Sequence, residues 1–422
     1  MTVYVHIGTM KTGTSSIQNF LYMNRDLLQE QNYYYPISIK NKNRLNDHNP
    51  FAHRFNAMLN KTNDLKLLYK EFNYLNNEVE KCNCGNIVIS AENTQWLLDS
   101  QQKIEYFYNF LSLKFHNIKI VIYLRDVVEL FISMCSQAIK GNSHTDYHCL
   151  LPYQNQKSKI LSNYQQMLQW WGGIFGKKNL IVRLFDKNEF KDGDLLKDFV
   201  DAIGIEWDDS FKIPKKDNET LDLIGFELLC RVNKLKPFMF VSRYFDIVEY
   251  FDRNCTSGNK DPHLKFQPPK EIIQSYIDYF EESNEWVRKE FFPHKERLFP
   301  KKDLSNYREN YELKEMKPEY WDKIAELIVD IVKTKNQAIV DKITIIQNKD
   351  KLIVQNIQEL QTAKISLDSL KQELTSKTQE LTQTKNQLDS TKNQLDFTQK
   401  ELDSKVKQMD SQIKILESSQ NQ

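Results

Sequence analysis

Val3-Tyr4-Val5-His6-Ile7-Gly8-Thr9-Met10-Lys11-Thr12-Gly13-Thr14-Ser15-Ser16-Ile17 is the stretch whose reading decides the fold. A β-branched run gives way to a turn holding two glycines, and a segment with helical spacing opens at Ile17. A strand, a glycine-containing turn and a helix start in direct succession point backbone N–H groups and the positive end of a helix dipole at one spot. That is the geometry of a loop that holds a phosphate-like anion.

Three more β-branched runs follow: Ile87 to Ile89, Ile118 to Leu124 and Leu180 to Phe185. Segments with helical spacing, such as Ser16 to Gln29 and Lys103 to Phe115, lie between them. Continuous apolar strands separated by helices imply a parallel sheet covered on both faces. The expected fold is therefore α/β, a three-layer, P-loop-like parallel sheet with flanking helices, carried by residues 1 to about 210. From Leu221 to about Phe299 the pattern is helical and aromatic, broken around Ser257-Gly258-Asn259-Lys260 and at Pro268-Pro269. With no new set of strands, it completes the same domain.

After Pro318 the chain contains neither proline nor glycine, the two strongest helix interrupters. Apolar residues then recur at every seventh position, from Ile339, Ile346, Ile353 and Leu360 through to Met409 and Leu416. A sustained seven-residue period is the signature of a left-handed coiled coil. The partner seam is polar, with Lys371, Thr378, Lys385, Lys392 and Gln399 where a strong zipper places aliphatic residues. The expectation is a catalytic domain over 1–335 and a long C-terminal coiled-coil helix over 336–422, which self-associates into a homo-oligomer or docks a partner.

At 422 residues the chain has room for one large or two ordinary domains. Lys and Arg (58) nearly balance Asp and Glu (57), giving +1, so no global field draws the protein to nucleic acid or acidic membranes. Any anion site must be local. The mean hydropathy of −0.62 reflects the polar tail. Cys82, Cys84, Cys135, Cys149, Cys230 and Cys255 are irregularly spaced in a long chain, the usage of reduced thiols rather than of a disulfide framework. Cys82 and Cys84 lack a second pair at zinc spacing, so no metal is expected. There is no signal-peptide pattern at the start and no apolar run of about eighteen residues, so neither a transmembrane segment nor export is expected, and the default location is the cytoplasm.

A second signal is Leu124-Arg125-Asp126-Val127-Val128-Glu129-Leu130-Phe131-Ile132-Ser133. An arginine at a strand's carboxyl end, with a serine in the second turn of the next helix, can grip one phosphate by a charged fork and a hydroxyl. In the first loop the lysine is Lys11. A nucleoside triphosphatase loop would carry it just after Gly13, where Thr14 stands. Lysine after the second glycine reaches β- and γ-phosphates, whereas one inside the loop lies beside a shorter phosphosulfate.

With these residues in view the chain resembles the sulfotransferases that use 3′-phosphoadenosine 5′-phosphosulfate (PAPS), particularly bacterial carbohydrate-type members. The resemblance implies that Lys11, Thr12, Gly13, Thr14, Ser15 and Ser16 bind the 5′-phosphosulfate. It also implies that Arg125 and Ser133 bind the 3′-phosphate, with 3′-phosphoadenosine 5′-phosphate (PAP) as product and no metal required. Further similar stretches are Val182-Arg183-Leu184-Phe185-Asp186, Gly193-Asp194-Leu195-Leu196, Asn218-Glu219-Thr220-Leu221 and Ser283-Asn284-Glu285-Trp286-Val287-Arg288 with Leu298-Phe299. Met10 stands where many members carry proline. The likeness covers about residues 1 to 300 and not the tail.

Sulfonate transfer needs cationic help for the leaving phosphate, which Lys11 can give, and a base for the acceptor hydroxyl. Ile89-Ser90-Ala91-Glu92-Asn93 puts a carboxylate just past a strand's carboxyl end, where α/β folds bind ligands. Related glycan sulfotransferases also use a glutamate near this point. The rival base lies in Asp47-His48-Asn49-Pro50-Phe51-Ala52-His53, where His48 is the better placed of the two histidines. The acceptor is expected to be a carbohydrate or another hydroxyl compound. Two other readings stay open: a P-loop small-molecule kinase, and a coiled-coil scaffold with a degenerate sulfotransferase domain.

Overall fold

Five strands lie side by side in the computed structural model, which describes residues 1–39, 46–61, 66, 70, 72–141, 147–215, 220–235, 244–256 and 262–419. They are β1 Thr2–His6, β2 Tyr33–Tyr34, β3 Asn86–Ser90, β4 Asn117–Leu124 and β5 Leu180–Leu184. Their order is β2-β3-β1-β4-β5, and every pairing is parallel. The four apolar runs of the sequence supply β1, β3, β4 and β5. The fifth strand, β2, is two residues long at the sheet edge, too short to leave an apolar run.

The described helices of the first part of the chain are α1 Thr14–Met23, α2 Arg25–Glu30, α3 Asn49–Leu59, α4 Asn73–Lys81, α5 Thr94–Leu97, α6 Gln101–Ser112 and α7 Val127–Lys140. After them come α8 Gln156–Ser162, α9 Tyr164–Phe175, α10 Leu195–Ala202, α11 Leu223–Lys234, α12 Tyr244–Asn254, α13 Lys270–Phe291 and α14 Pro318–Ser419. The expected single helix over Ser16 to Gln29 is two. Asn24 separates them, its side-chain amide donating to the carbonyls of Phe20 and Lys212 at 2.9 Å each.

Strand alternation splits the apolar residues between two cores. Val3, Val5, Ile87, Ile89, Ile120 and Ile122 face α3, α4, α6, α7 and α9. Val88, Val121 and Tyr123 face α1, α2 and α10 on the other side. The chain leaves β1 toward β2 in one direction and every later crossover runs in the other, so the right-handed rule sends α1 to the opposite face from α3 through α9. The carboxyl end of β1 is thus the switch point, where open α/β sheets bind ligands. The Gly8–Ser16 loop begins there.

Several of the sequence stretches singled out above hold this scaffold together. Arg183 forks onto Asp198 at 3.1 and 2.7 Å, and the Tyr123 hydroxyl donates to the same carboxylate at 2.7 Å, tying β4 and β5 to α10. Ser283 accepts from the Gln165 backbone at 3.0 Å, joining α13 to α9, and Arg288 forks onto Glu285 at 2.8 and 2.9 Å. Leu221 is fully buried and its N–H donates to Ser136 Oγ at 3.0 Å. Asn218 and Glu219, and likewise residues 257–260, lie outside the described residues.

The chain divides into compact units Met1–Ile331 and Val332–Gln422. Within the first unit Tyr320 and Leu327 of α14 are buried, Lys323 pairs with Asp222 at 3.3 Å and Arg253 with Asp330 at 3.1 Å. In the second unit the described residues are helical, and the side chains of the seven-residue repeat are exposed, Leu374 by 68% and Leu395 by 67%. No described helix is long and apolar enough to cross a membrane.

Candidate functional site

Pairing with β4 continues past the end of β1. Ile7 N–H donates to Val121 O at 3.1 Å, Tyr123 N–H to Gly8 O at 2.9 Å and Thr9 N–H to Tyr123 O at 3.1 Å. The chain then lifts off the sheet and closes on itself. The Thr12 hydroxyl donates to Thr9 O at 2.5 Å, and the Thr9 hydroxyl to Tyr123 O at 2.7 Å. Lys11 (φ 63°) and Gly13 (φ 70°) turn it through the left-handed region. At Gly13 the positive φ favours glycine, and a Cβ there would also press on the Leu195 side chain at 2.3 Å and the Phe185 ring at 3.2 Å. Gly8 likewise lets the backbone of Glu92 approach, with the Glu92 carbonyl 3.2 Å from where its Cβ would stand.

The loop ends at α1, which has no side-chain cap; its first intrahelical bond is Ile17 N–H to Gly13 O. The N–H groups of Thr14, Ser15 and Ser16 are the ones helix geometry leaves without an intrahelical acceptor. They sit at the positive end of the helix.

Around this turn the structure gathers cations. Arg125, just past β4, donates through Nη1 to Lys11 O at 2.7 Å, and its guanidinium packs 5.4 Å from the centre of the Phe185 ring. Tyr164 donates to Arg125 O at 2.5 Å and so fixes the backbone there. Lys302 bridges Asp126 at 3.3 Å and Glu129 at 3.1 Å, and Glu129 in turn lies 3.9 Å from Arg125. Lys11 Nζ donates to Gln137 Oε1 at 3.1 Å. Burial pushes the Lys11 pKa down to about 8; Lys140 and Arg125 add to the fall, while Glu92 and Asp252 oppose it. The ammonium is therefore mostly charged at neutral pH and close to its titration.

Ser133, Gln137 and Lys140 stand at i, i+4 and i+7 on α7, so they form one stripe facing the loop region. Ser133 and Lys140 are both buried, and Lys140 pairs with Asp252 of α12. Gln137, Lys140 and Asp252 were not among the residues picked from the sequence. The first two carry a legible signal, a polar stripe at helical spacing in the apolar helix VVELFISMCSQAIK. Asp252 carries none.

Glu92 follows β3 at the same sheet edge. The Thr14 hydroxyl donates to Glu92 Oε2, so the carboxylate is tied to the first residue of α1. The structure thus brings Lys11 through Ser16, Glu92 and Arg125 to one end of the sheet, with Ser133 on the facing helix.

It does not bring His48 there in usable form. His48 is buried to 1% exposure, stacked on Tyr35 at 4.2 Å, with Nδ1 accepting from Ser90 N–H at 3.0 Å and Nε2 donating to Pro36 O at 2.8 Å. Burial holds its pKa down at about 4. With both nitrogens committed, His48 is a structural pin between two backbone segments, which corrects its candidacy as base. Of the pair it is His53 that is exposed, its Nε2 accepting from Asn93 Nδ2 at 2.9 Å, next to Glu92.

A pH effect on stability follows from two buried histidines. His6, fully buried beside Phe199 at 5.3 Å and Tyr123 at 6.2 Å, is pushed down to about 3 by burial. Both are neutral when folded and regain an ordinary value near 6.5 when unfolded. The unfolded chain therefore binds more protons below pH 6.5, so stability is complete above that pH and falls as the pH drops toward 4 and then 3. The loss at pH 5 is about 2 kcal/mol per histidine. Denaturant unfolding measured from pH 8 to 5 checks this; a flat unfolding free energy between 6.5 and 5 contradicts it.

What fold and site define together is a class: a parallel α/β protein with a lysine-bearing glycine loop, leading into a helix N-terminus, at its switch point. No protein-family model matches the chain. An uncharacterized protein of Archaeoglobus fulgidus is 26% identical over 208 residues, 48% of this chain and 54% of that protein. The chain thus spans about half the length of that curated relative. Among solved structures, the crystal structure of a sulfotransferase from Alicyclobacillus acidocaldarius matches 50% of this chain and 85% of its own, with a TM-score of 0.34 and 16% sequence identity.

Proposed function

We propose that this chain is a sulfotransferase that moves a sulfonate group from PAPS to an acceptor hydroxyl, on a carbohydrate, and releases PAP. The observation that carries the reading is the placement of Lys11 inside the loop, with Arg125 anchored on its carbonyl. One cation lies within the turn and a second, separate one behind it, which suits a donor with a 5′-phosphosulfate and a distinct 3′-phosphate. A kinase would want lysine at position 14, where Thr14 instead holds Glu92.

In the proposed reaction the acceptor oxygen attacks sulfur in line with the bond to the 5′-phosphate. The new S–O bond forms as the old one breaks, the hydroxyl proton passes to Glu92, and the bonding electrons leave with the phosphate of PAP. Lys11 and the N–H groups of α1 face the charge that grows on that phosphate. Arg125 and Ser133 hold the 3′-phosphate, and Thr12 through Ser16 the 5′ end. Buried free thiols such as Cys82, Cys84, Cys135 and Cys255 suit a reducing compartment such as the cytoplasm. Incubation with PAPS and a panel of sugars, with PAP release followed by mass spectrometry, tests the reading. A protein that leaves PAPS intact with every acceptor and binds ATP with Mg²⁺ would overturn it.

The tail is read as an element that self-associates or docks a partner through the exposed repeat. Leucine recurs in one seam, and lysine and threonine in the other weaken it. A chain ending at residue 335 is expected to keep its PAP affinity while its mass in light scattering falls to that of a monomer. Equal masses for full and shortened chains would rule self-association out.

A further inference from the structure

Beyond Glu92 the neighbouring side chains come from α3, α5 and α8. Asn93 organises them: its N–H donates to Asn49 Oδ1 at 3.0 Å, its Oδ1 accepts from Trp96 Nε1 at 3.1 Å, and its amide donates to the exposed His53. Lys157, in the first turn of α8, lies over the Trp96 ring with Nζ 5.3 Å from its centre. This lysine is partly withdrawn from water, and among the described residues no carboxylate lies within ion-pair distance of its ammonium. Among the described residues the carboxylate of Glu92, which also accepts from the Thr14 hydroxyl, acts on it at longer range. A cation desolvated without a paired anion is a cost to the folded chain. The π face of Trp96 offsets part of it, and an incoming anion would offset the rest.

We propose that Lys157 anchors a carboxylate on the acceptor, so that the substrate is an acidic sugar whose receiving hydroxyl lies near its carboxylate. The inference rests on reading Glu92 as the base of a sulfotransferase, since that fixes where the hydroxyl sits. A single ammonium matches a single negative charge. A dianionic phosphate would face more repulsion from Glu92 and from the donor's own phosphosulfate than a monoanionic carboxylate does. Asn93 and His53 offer the adjoining polar contacts that sugar hydroxyls need.

The test is an NMR titration of the full-length protein, with and without PAP, using methyl glucuronide and methyl glucoside as probes. The glucuronide is expected to bind the PAP-loaded protein at least about tenfold more tightly than the glucoside. Lys157→Met is expected to abolish that difference with PAP affinity unchanged, and Lys157→Arg to retain most of it. Equal binding of the two probes, binding of neither, or a preference that survives Lys157→Met overturns the acceptor proposal. Wild-type protein that fails to bind PAP overturns the sulfotransferase reading instead, and the same samples report both.

Discussion

Glu92→Gln is expected to lower sulfonate transfer by about 10²–10⁴ and to leave PAP affinity within about twofold. The substitution keeps the shape of the side chain and an oxygen that can accept from the Thr14 hydroxyl, as Glu92 does. What it removes is the ability to take a proton. Because the tie to Thr14 fixes Glu92 against the first turn of α1, the carboxylate stands beside the loop proposed to carry the phosphosulfate, where an acceptor oxygen must approach. His53→Ala serves as the comparison, since His53 is exposed and bonded to Asn93 next door. If His53→Ala produces the loss and Glu92→Gln does not, the base is the histidine. His48→Ala is expected to act on stability rather than on turnover, because it would strip partners from Ser90 N–H and Pro36 O in a buried setting.

That contrast shows what the sequence could and could not tell. Four strands were legible because each is a compact β-branched run, and the loop was legible because its glycines, lysine and hydroxyls are contiguous. The position of Glu92, two residues past β3, was legible for the same reason. His48 misled because its neighbours in sequence are polar, while its neighbours in space are Tyr35, Pro36 and Ser90, which close over it. The Lys140–Asp252 pair was invisible because the residues are far apart in the chain and meet only when α12 packs near the end of α7. Lys157 was invisible for the opposite reason: a lone lysine in a polar segment looks like solvent-facing charge until its contact with the Trp96 ring and its place near Glu92 are seen. The seven-residue repeat of the tail fixes a helix and an apolar seam, but a seam between copies is not a property of one chain.

Arg125→Ala is expected to erase the selectivity of the site for a nucleotide with a 3′-phosphate. In the wild type, PAP should bind at least about tenfold more tightly than ADP, with no need for Mg²⁺, since a charge-assisted fork to phosphate contributes ~1.5–3 kcal/mol. The guanidinium is suited to this because Nη1 donates to Lys11 O, while Nη2 lies 3.9 Å from Glu129, beyond hydrogen-bond distance, so its N–H groups can turn to a ligand phosphate. Phe185 and Tyr164 hold its plane and its backbone in place before the ligand arrives, so little order has to be created on binding. With Arg125 gone, PAP and ADP should converge in affinity while the 5′ end remains held by the loop. Lys11→Ala should behave differently. Its ammonium faces the phosphate on which charge develops, so turnover should fall by more than PAP affinity does. Calorimetric titrations of the wild type and both variants with PAP, ADP and ATP, each with and without Mg²⁺, separate these outcomes. Tight Mg²⁺-dependent ATP binding with no preference for PAP would mean that the two cations serve a triphosphate, and the kinase reading would then replace the sulfotransferase.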